Sequence, residues 1–216
     1  MNIKTKAIII TGTVSVVCLA LFAGIVRWDQ KILARKDRQF QERLAAEVIR
    51  FHVLAHSDSK EDQELKQKVR DGVLDYVRTL LSESDNKESA KIILEENFEP
   101  IRSVAKNILL ANNCHYDVRV TLEETQFPEK TYDNYTFPAG NYDALRVFIG
   151  DAKGQNWWCV LFPSLCYTRE GLKFTDTSKK KLQTSLSKED YEALLRDDST
   201  SVEIRFFLFD FFRKHF

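Results

Sequence analysis

The sequence predicts an α+β domain, a mostly antiparallel sheet with packed helices, preceded by an N-terminal transmembrane or signal helix. Three observations predict it. Residues 7–26 carry no charged side chain, a length that suits either a bilayer span or the apolar middle of an export signal. The rest of the chain alternates between period-2 and period-3.6 apolar patterns in the order strand, two helices, three strands, helix, strand, which is the segregated order of α+β layers. Finally, NYDALRVFIGDAKGQNWWCVLFPSLC, residues 141–166, reads as a β-hairpin. Its second arm is apolar on both faces, and such a strand is expected centrally in a sheet covered on both sides.

The elements follow in order. Lys4 and Lys6 precede the apolar span, and Leu21, Phe22, Ala23 and Gly24 offer only a degenerate cleavage site. Residues 1–27 are therefore read as a signal anchor that is uncleaved or slowly cleaved, with a cleaved signal peptide as the alternative. Residues 28–47, rich in Lys, Arg, Gln and Ala, form a helical stalk. Ile49, Phe51 and Val53 alternate with Arg50, His52 and Leu54 as a strand, closed by Ser57, Asp58 and Ser59. Asp58 with Glu61, or Ser59 with Asp62, can cap a helix over residues 60–81. Leu65, Val69, Val73, Val77 and Leu80 form its buried stripe, while Lys66, Lys68, Arg70 and Asp71 are expected in solvent. Gly72 costs about 1 kcal/mol in a helix interior, which close packing would explain.

The polar run SESDNKES, residues 82–89, is a surface loop. Ile92, Ile93, Phe98, Ile101, Val104, Ala105, Ile108 and Leu109 make a further amphipathic stretch that Pro100 kinks or splits near Phe98. Asn112 and Asn113 end it. Tyr116, Val118, Val120 and Leu122 then alternate with polar residues as a half-buried strand. After the hairpin, residues 167–185 are polar and Lys-rich and read as an exposed excursion. Ser187 to Asp190 carries another helix N-terminal signature. Val202, Ile204 and Phe206 suggest a last strand. Six Phe residues in RFFLFDFFRKHF, residues 205–216, either close the core through a short helix or form an apolar surface, with Phe211, Phe212 and Phe216 at its centre.

Composition excludes some functions. With 32 basic and 32 acidic residues there is no general pull toward nucleic acid, and no basic block is interleaved with stacking aromatics. His52 and His56 lie about 13 Å apart along a strand, too far to converge on zinc. Ser57 with His52 and Asp58 lacks the G-x-S-x-G elbow of a hydrolase. Cys159, in a Trp-flanked apolar strand, is expected to be inert as a nucleophile because burial raises a thiol's pKa. No catalytic residues, metal, cofactor or small-molecule substrate are expected.

The two most distinctive stretches carry a resemblance. Tyr142, Ala144, Leu145, Arg146, Val147, Ile149 and Gly150, then Asn156, Trp157, Trp158, Cys159, Val160, Leu161, Phe162, Pro163, Leu165 and Cys166, resemble the signature of the stage II sporulation protein R family. IRFHVLAHSDSKEDQELKQKVRD, residues 49–71, is similar to its N-terminal motif, and Phe127, Pro128, Lys130, Pro138, Ala139 and Gly140 fit the connecting region. The chain departs from that pattern at His56, where Asn is more frequent, and at Ser164, where a second Pro is usual. The resemblance implies a signal made in the forespore of an endospore-forming bacterium and exported into the space between the septal membranes. There it would activate the membrane-embedded protease that processes the sigma-E precursor in the mother cell.

Arg27, Lys31, Arg35, Lys36 and Arg38 follow the span and outnumber the lysines before it, which taken alone would hold the domain in the cytoplasm. Long domains translocate largely regardless of flanking charge. With the resemblance, residues 48–216 are expected to form an extracytoplasmic signalling domain. In that compartment Cys159 and Cys166, with six residues between them, can form a disulfide worth roughly 2 to 3 kcal/mol, against two reduced core cysteines; Cys114 is left over. The partner surface is expected at the junction carrying Arg50, His52, Asp58 and Asp62. The competing classes are an extracytoplasmic hydrolase and a membrane-tethered interaction domain of other function.

Overall fold

The computed structural model describes residues 3–132, 134–163 and 176–195, with side chains from residue 20 onward and, in the last segment, from residue 179. The chain divides into two compact units, Met1–Arg43 and Leu44–Phe216. Helix α1, Ile3–Glu47, is continuous for 45 residues, so the expected apolar span and stalk belong to one helix. Among the described residues no helix is long and apolar enough to cross a membrane. The side chains of residues 3–19, most of the expected span, fall outside the described ones.

The second unit is built on a sheet. Its strands are β1 (Ile49–Leu54), β2 (Val118–Phe127), β5 (Gly140–Ile149) and β6 (Asn156–Phe162), with a separate pair β3 (Lys130–Tyr132) and β4 (Tyr135–Phe137). The order is β2-β5-β1-β6. β2 and β6 run antiparallel to their neighbours and β1 runs parallel to β5, so the sheet is mostly antiparallel, as predicted.

The expected hairpin does not form. Its two arms, β5 and β6, are separated by β1, which pairs with both. The second arm is also not central: among the described residues β6 is the last strand. Apolarity on both faces reports cover above and below a strand, not its place in the sheet, and β1 takes the central place because its own side chains are buried on both faces.

Alternation along the strands sends Phe51, Val53, Leu145, Val147, Val118, Cys159 and Leu161 to one face, where they join Val69, Val73, Val77, Ile101, Ala105 and Leu109 in the core. Those partners come from α2 (Lys60–Leu80) and α4 (Phe98–Ala111), with α3 (Lys87–Glu96) beside them. Gly72 permits the close approach of α2 to α4, because a Cβ there would displace Ile108 Cδ1. The caps are local. Ser59 Oγ accepts from Asp62 N at 3.1 Å, and Asn86 and Ser89 form a capping box for α3.

α3 and α4 are two helices, not one kinked helix, and Pro100 sits in the first turn of α4, where its missing N–H costs nothing. Asn113 takes φ 56°, so that Asn113 N and Cys114 N close α4 on the carbonyls of Leu110 and Leu109. Three further expectations are corrected. The excursion holds a helix, α5 (Asp176–Ser185), before α6 (Lys188–Leu194), because Leu182 finds complete burial. The surface loop ends at Asn86, since its last residues form the first turn of α3. Lys66 is buried, its ammonium held by Gln63 Oε1 at 2.5 Å and by the Gln155 carbonyl at 3.0 Å. The expected last strand and the Phe-rich end lie outside the described residues.

Candidate functional site

The position of β1 brings the chain's two distinctive sequence stretches together at one corner. β5 and β6 straddle β1, so their connection must cross its C-terminal end, and its backbone donors bond there. Gly154 N donates to Ala55 O at 3.0 Å and Lys153 N to His56 O at 3.1 Å. Asp151 N donates to His56 Nδ1 at 2.9 Å, and Gln155 N to Asp58 Oδ1 at 2.7 Å. On the helix side Ser57 Oγ donates to Asp62 Oδ2 at 2.5 Å and Gln63 Nε2 to Ser57 O at 2.9 Å. The His56 ring stacks on Tyr116 at 4.1 Å.

Two glycines are needed at this corner. Gly150 holds φ +54°, and a Cβ on it would meet His56 Nδ1; a Cβ on Gly154 would strike the Ser57 carbonyl. His56, considered in the sequence as a zinc ligand with His52 and as a position where Asn is more frequent, is thus the acceptor that ties the crossing loop to the strand exit.

On the sheet face opposite the helices, Arg50 and His52 are buried, at 0% and 2% exposure. Arg50 Nε donates to Cys159 O at 3.0 Å and Nη2 to Tyr132 Oη at 3.1 Å. Its guanidinium carbon lies 4.4 Å from the Phe127 ring centre, 5.0 Å from Tyr142 and 5.3 Å from Phe137, while Nη1 has no hydrogen-bond partner. Burial lowers the pKa of Arg50, against the favourable influence of Tyr132 and Tyr142.

His52 stacks on Trp158 at 3.8 Å, and its Nδ1 accepts from Arg146 Nε at 3.2 Å. Burial first, and the Arg146 charge second, push its pKa down to about 3, which the nearby Asn156 only partly opposes. The ring is neutral at ordinary pH. The other face of the corner is basic and aromatic: Arg119 and Arg146 sit 3.6 Å and 4.5 Å from the Phe148 ring centre.

The expected partner residues therefore do not form one exposed surface. Asp58 is exposed and Asp62 is buried at 6% exposure, held by Ser57. Arg50 and His52 lie under the small β3–β4 pair and the aromatic rings, on the sheet face away from the helices. Nor does a hydrolase constellation come together: Ser57 bonds Asp62, and His52 bonds Arg146. Cys159 is disulfide-bonded, so it offers no thiol, and the expected pairing with Cys166 lies outside the described residues. Cys114 is free. Among the described residues no group of three or more His, Cys, Asp or Glu is placed to hold a metal ion.

Sequence reasoning missed the aromatic cage. The signal for it was distributed over Phe127 of β2, Tyr142 of β5, and Tyr132 and Phe137, which the β3–β4 pair brings over Arg50.

Residues 45–171 match the family model described as stage II sporulation protein R. A relative from Bacillus subtilis (strain 168) named "Stage II sporulation protein R" is 29% identical over 194 residues, covering 87% of this chain and 85% of the relative. No solved structure matches.

Proposed function

The chain belongs to the stage II sporulation protein R family and so has a role in sporulation, and from that premise we propose that it is an exported signal that activates a membrane-embedded protease in the adjacent compartment. The protease is the one that processes the sigma-E precursor, the chain is made in the forespore, and α1 holds it at or near the septal membrane. It acts by binding, not by chemistry. A ligand moves an equilibrium only by its differential affinity for the two states, so the folded corner binds the active form of the protease more tightly than the resting form.

The observation that carries this reading is the meeting of the two family stretches in one closed, hydrogen-bonded corner. Its backbone donors are consumed internally, and it presents side chains on rigid elements, as a recognition surface does. Asp58 is the expected partner residue placed for direct contact. Asp62 holds the corner behind it through Ser57, while Arg50 and His52 act by fixing the sheet from which the corner projects.

The test is reconstitution in a host that does not sporulate. The full chain, the protease and the precursor are expressed together and in pairs, and precursor cleavage is followed by immunoblot. Cleavage is expected only with all three present, and the purified chain alone is expected to leave the precursor intact. Cleavage by the purified chain would make it a hydrolase; no cleavage in the triple expression would overturn the activation reading. An alkaline phosphatase fusion after Phe216 is expected to be active if the domain is extracytoplasmic, and an inactive fusion would restore the charge-based orientation.

A further inference from the structure

Among the described residues the sheet face away from α2 and α4 is covered unevenly. At one end the β3–β4 pair lies over Arg50. At the other, next to the corner, lie the row formed by Arg119, Phe148, Leu54 and Asn156 and the row formed by Arg146, His52 and Trp158, and both arginines stand over the Phe148 ring. Phe148 retains 8% of its surface and Trp158 is half-buried, while Arg119 and Asn156 are exposed.

The arginines differ in their pairing. Arg146 Nη1 bonds Glu123 Oε1 at 2.6 Å, but Arg119 makes no ion pair among the described residues and is held only by its stack on Phe148 at 3.6 Å. Stacking fixes the guanidinium plane and leaves its N–H edges to solvent, the form in which arginine takes a carboxylate through two hydrogen bonds. In the neighbouring row Thr121 Oγ1 is buried with no hydrogen-bond partner. A cation over an aromatic floor, with no ion pair among the described residues and beside a Trp, has the composition that concentrates binding energy at protein interfaces.

We infer that this end of the sheet docks an acidic segment of the protein partner, with an Asp or Glu on Arg119 and an adjoining aromatic or aliphatic side chain against Phe148 and Trp158. This deepens the activation reading and rests on it for the partner being a protein. Charge selects the occupant. Among the described residues Arg119 is a cation without an ion pair and Glu123 bars a second acid on Arg146, so the surface accepts one carboxylate among apolar groups, not a polyanion.

Two arms test it. In the first, the purified full chain is titrated with fluorescent synthetic peptides pairing Glu with Phe, and with matched peptides carrying Gln in place of Glu. The Glu peptides are expected to bind more tightly, and Arg119→Gln, whose melting temperature should fall by no more than a few degrees because the exposed side chain loses only its stack on Phe148, is expected to weaken them by roughly tenfold or more. Equal binding of Glu and Gln peptides, or an unaffected Arg119→Gln variant, overturns the proposal. Concentration-dependent dimerisation abolished by Arg119→Gln would assign the face to a second copy and overturn it too.

In the second arm, Arg119→Glu is placed in the triple expression and is expected to abolish processing that the parent chain supports. Normal processing by that variant overturns the docking surface and leaves the activation reading standing. Failure of the parent chain itself overturns the activation reading, and the peptide titration then decides the surface alone.

Discussion

Arg50 has lost its water shell, and no carboxylate among the described residues replaces it; two oxygens and a set of aromatic faces do. Desolvating a charge costs several kcal/mol, so a shape-matched apolar residue often does as well or better, whereas deleting the side chain leaves a cavity and unpaired oxygens. Arg50→Met is therefore expected to unfold in urea within about 1 kcal/mol of the parent or above it, and Arg50→Ala to lose about 3 kcal/mol. If both variants lose the same amount, the rings and oxygens are not what offsets the charge. His52 adds a pH dependence. Its pKa falls from 6.5 to about 3 on folding, so between those values the unfolded chain binds a proton that the folded chain refuses. The His52 contribution is complete above pH 6.5, declines as the pH falls through that value, and stops declining below about 3, with a slope of at most about 1.4 kcal/mol per pH unit. His52→Gln removes this contribution, and urea midpoints across pH 4 to 7 should fall less steeply for the variant than for the parent.

At the scale of elements, the helices were readable because their signals are local. Ser59, Pro100, Asn112 and Asn113 act on neighbouring residues, and each ends or starts a helix where expected. The stripe of α2 was readable except at Lys66, whose long stem carries its ammonium to the Gln155 carbonyl, 89 residues on. The strands were readable but their pairing was not. Nothing in residues 141–166 says that a strand from residues 49–54 will enter between the two arms, because alternation reports faces and not neighbours. The β3 and β4 strands, three residues each, are too short to show a period. Of the expected partner residues, the junction was located correctly as a meeting of strand and helix, but the burial of Arg50 and His52 depends on cover supplied by distant strands. The crossing loop makes a sharp prediction. Gly154→Ala places a methyl group against the backbone carbonyl of Ser57, which cannot rotate away, and is expected to cost about 1 to 3 kcal/mol. Ser59→Ala removes one cap bond and should cost about 1 kcal/mol. Thermal melts of both variants check the order; a Gly154→Ala variant no less stable than Ser59→Ala would mean that the loop has slack.

For the whole molecule, the division at Leu44 predicts that residues 44–216 made alone will unfold in one cooperative transition, at a melting temperature within a few degrees of the full chain in detergent. A broad, non-cooperative melt would show that α1 contributes to the second unit's stability. The same fragment should not reproduce processing at low concentration if α1 serves to raise the local concentration of the domain at the septum.

The insertion of β1 between two strands that follow it in the chain also sets a condition on time. Arg50 and Cys159 are 109 positions apart, and a chain that emerges from its N-terminus exposes β1 long before either flanking strand arrives. Until then the strand has neither neighbour, and the corner at its end has no crossing loop to bond. Completion of the corner thus reports that the chain has been delivered at least as far as Gln155. A message read at that corner would be silent for any shorter product, and its earliest moment of legibility would be fixed by topology and not by the rate at which the domain begins to collapse.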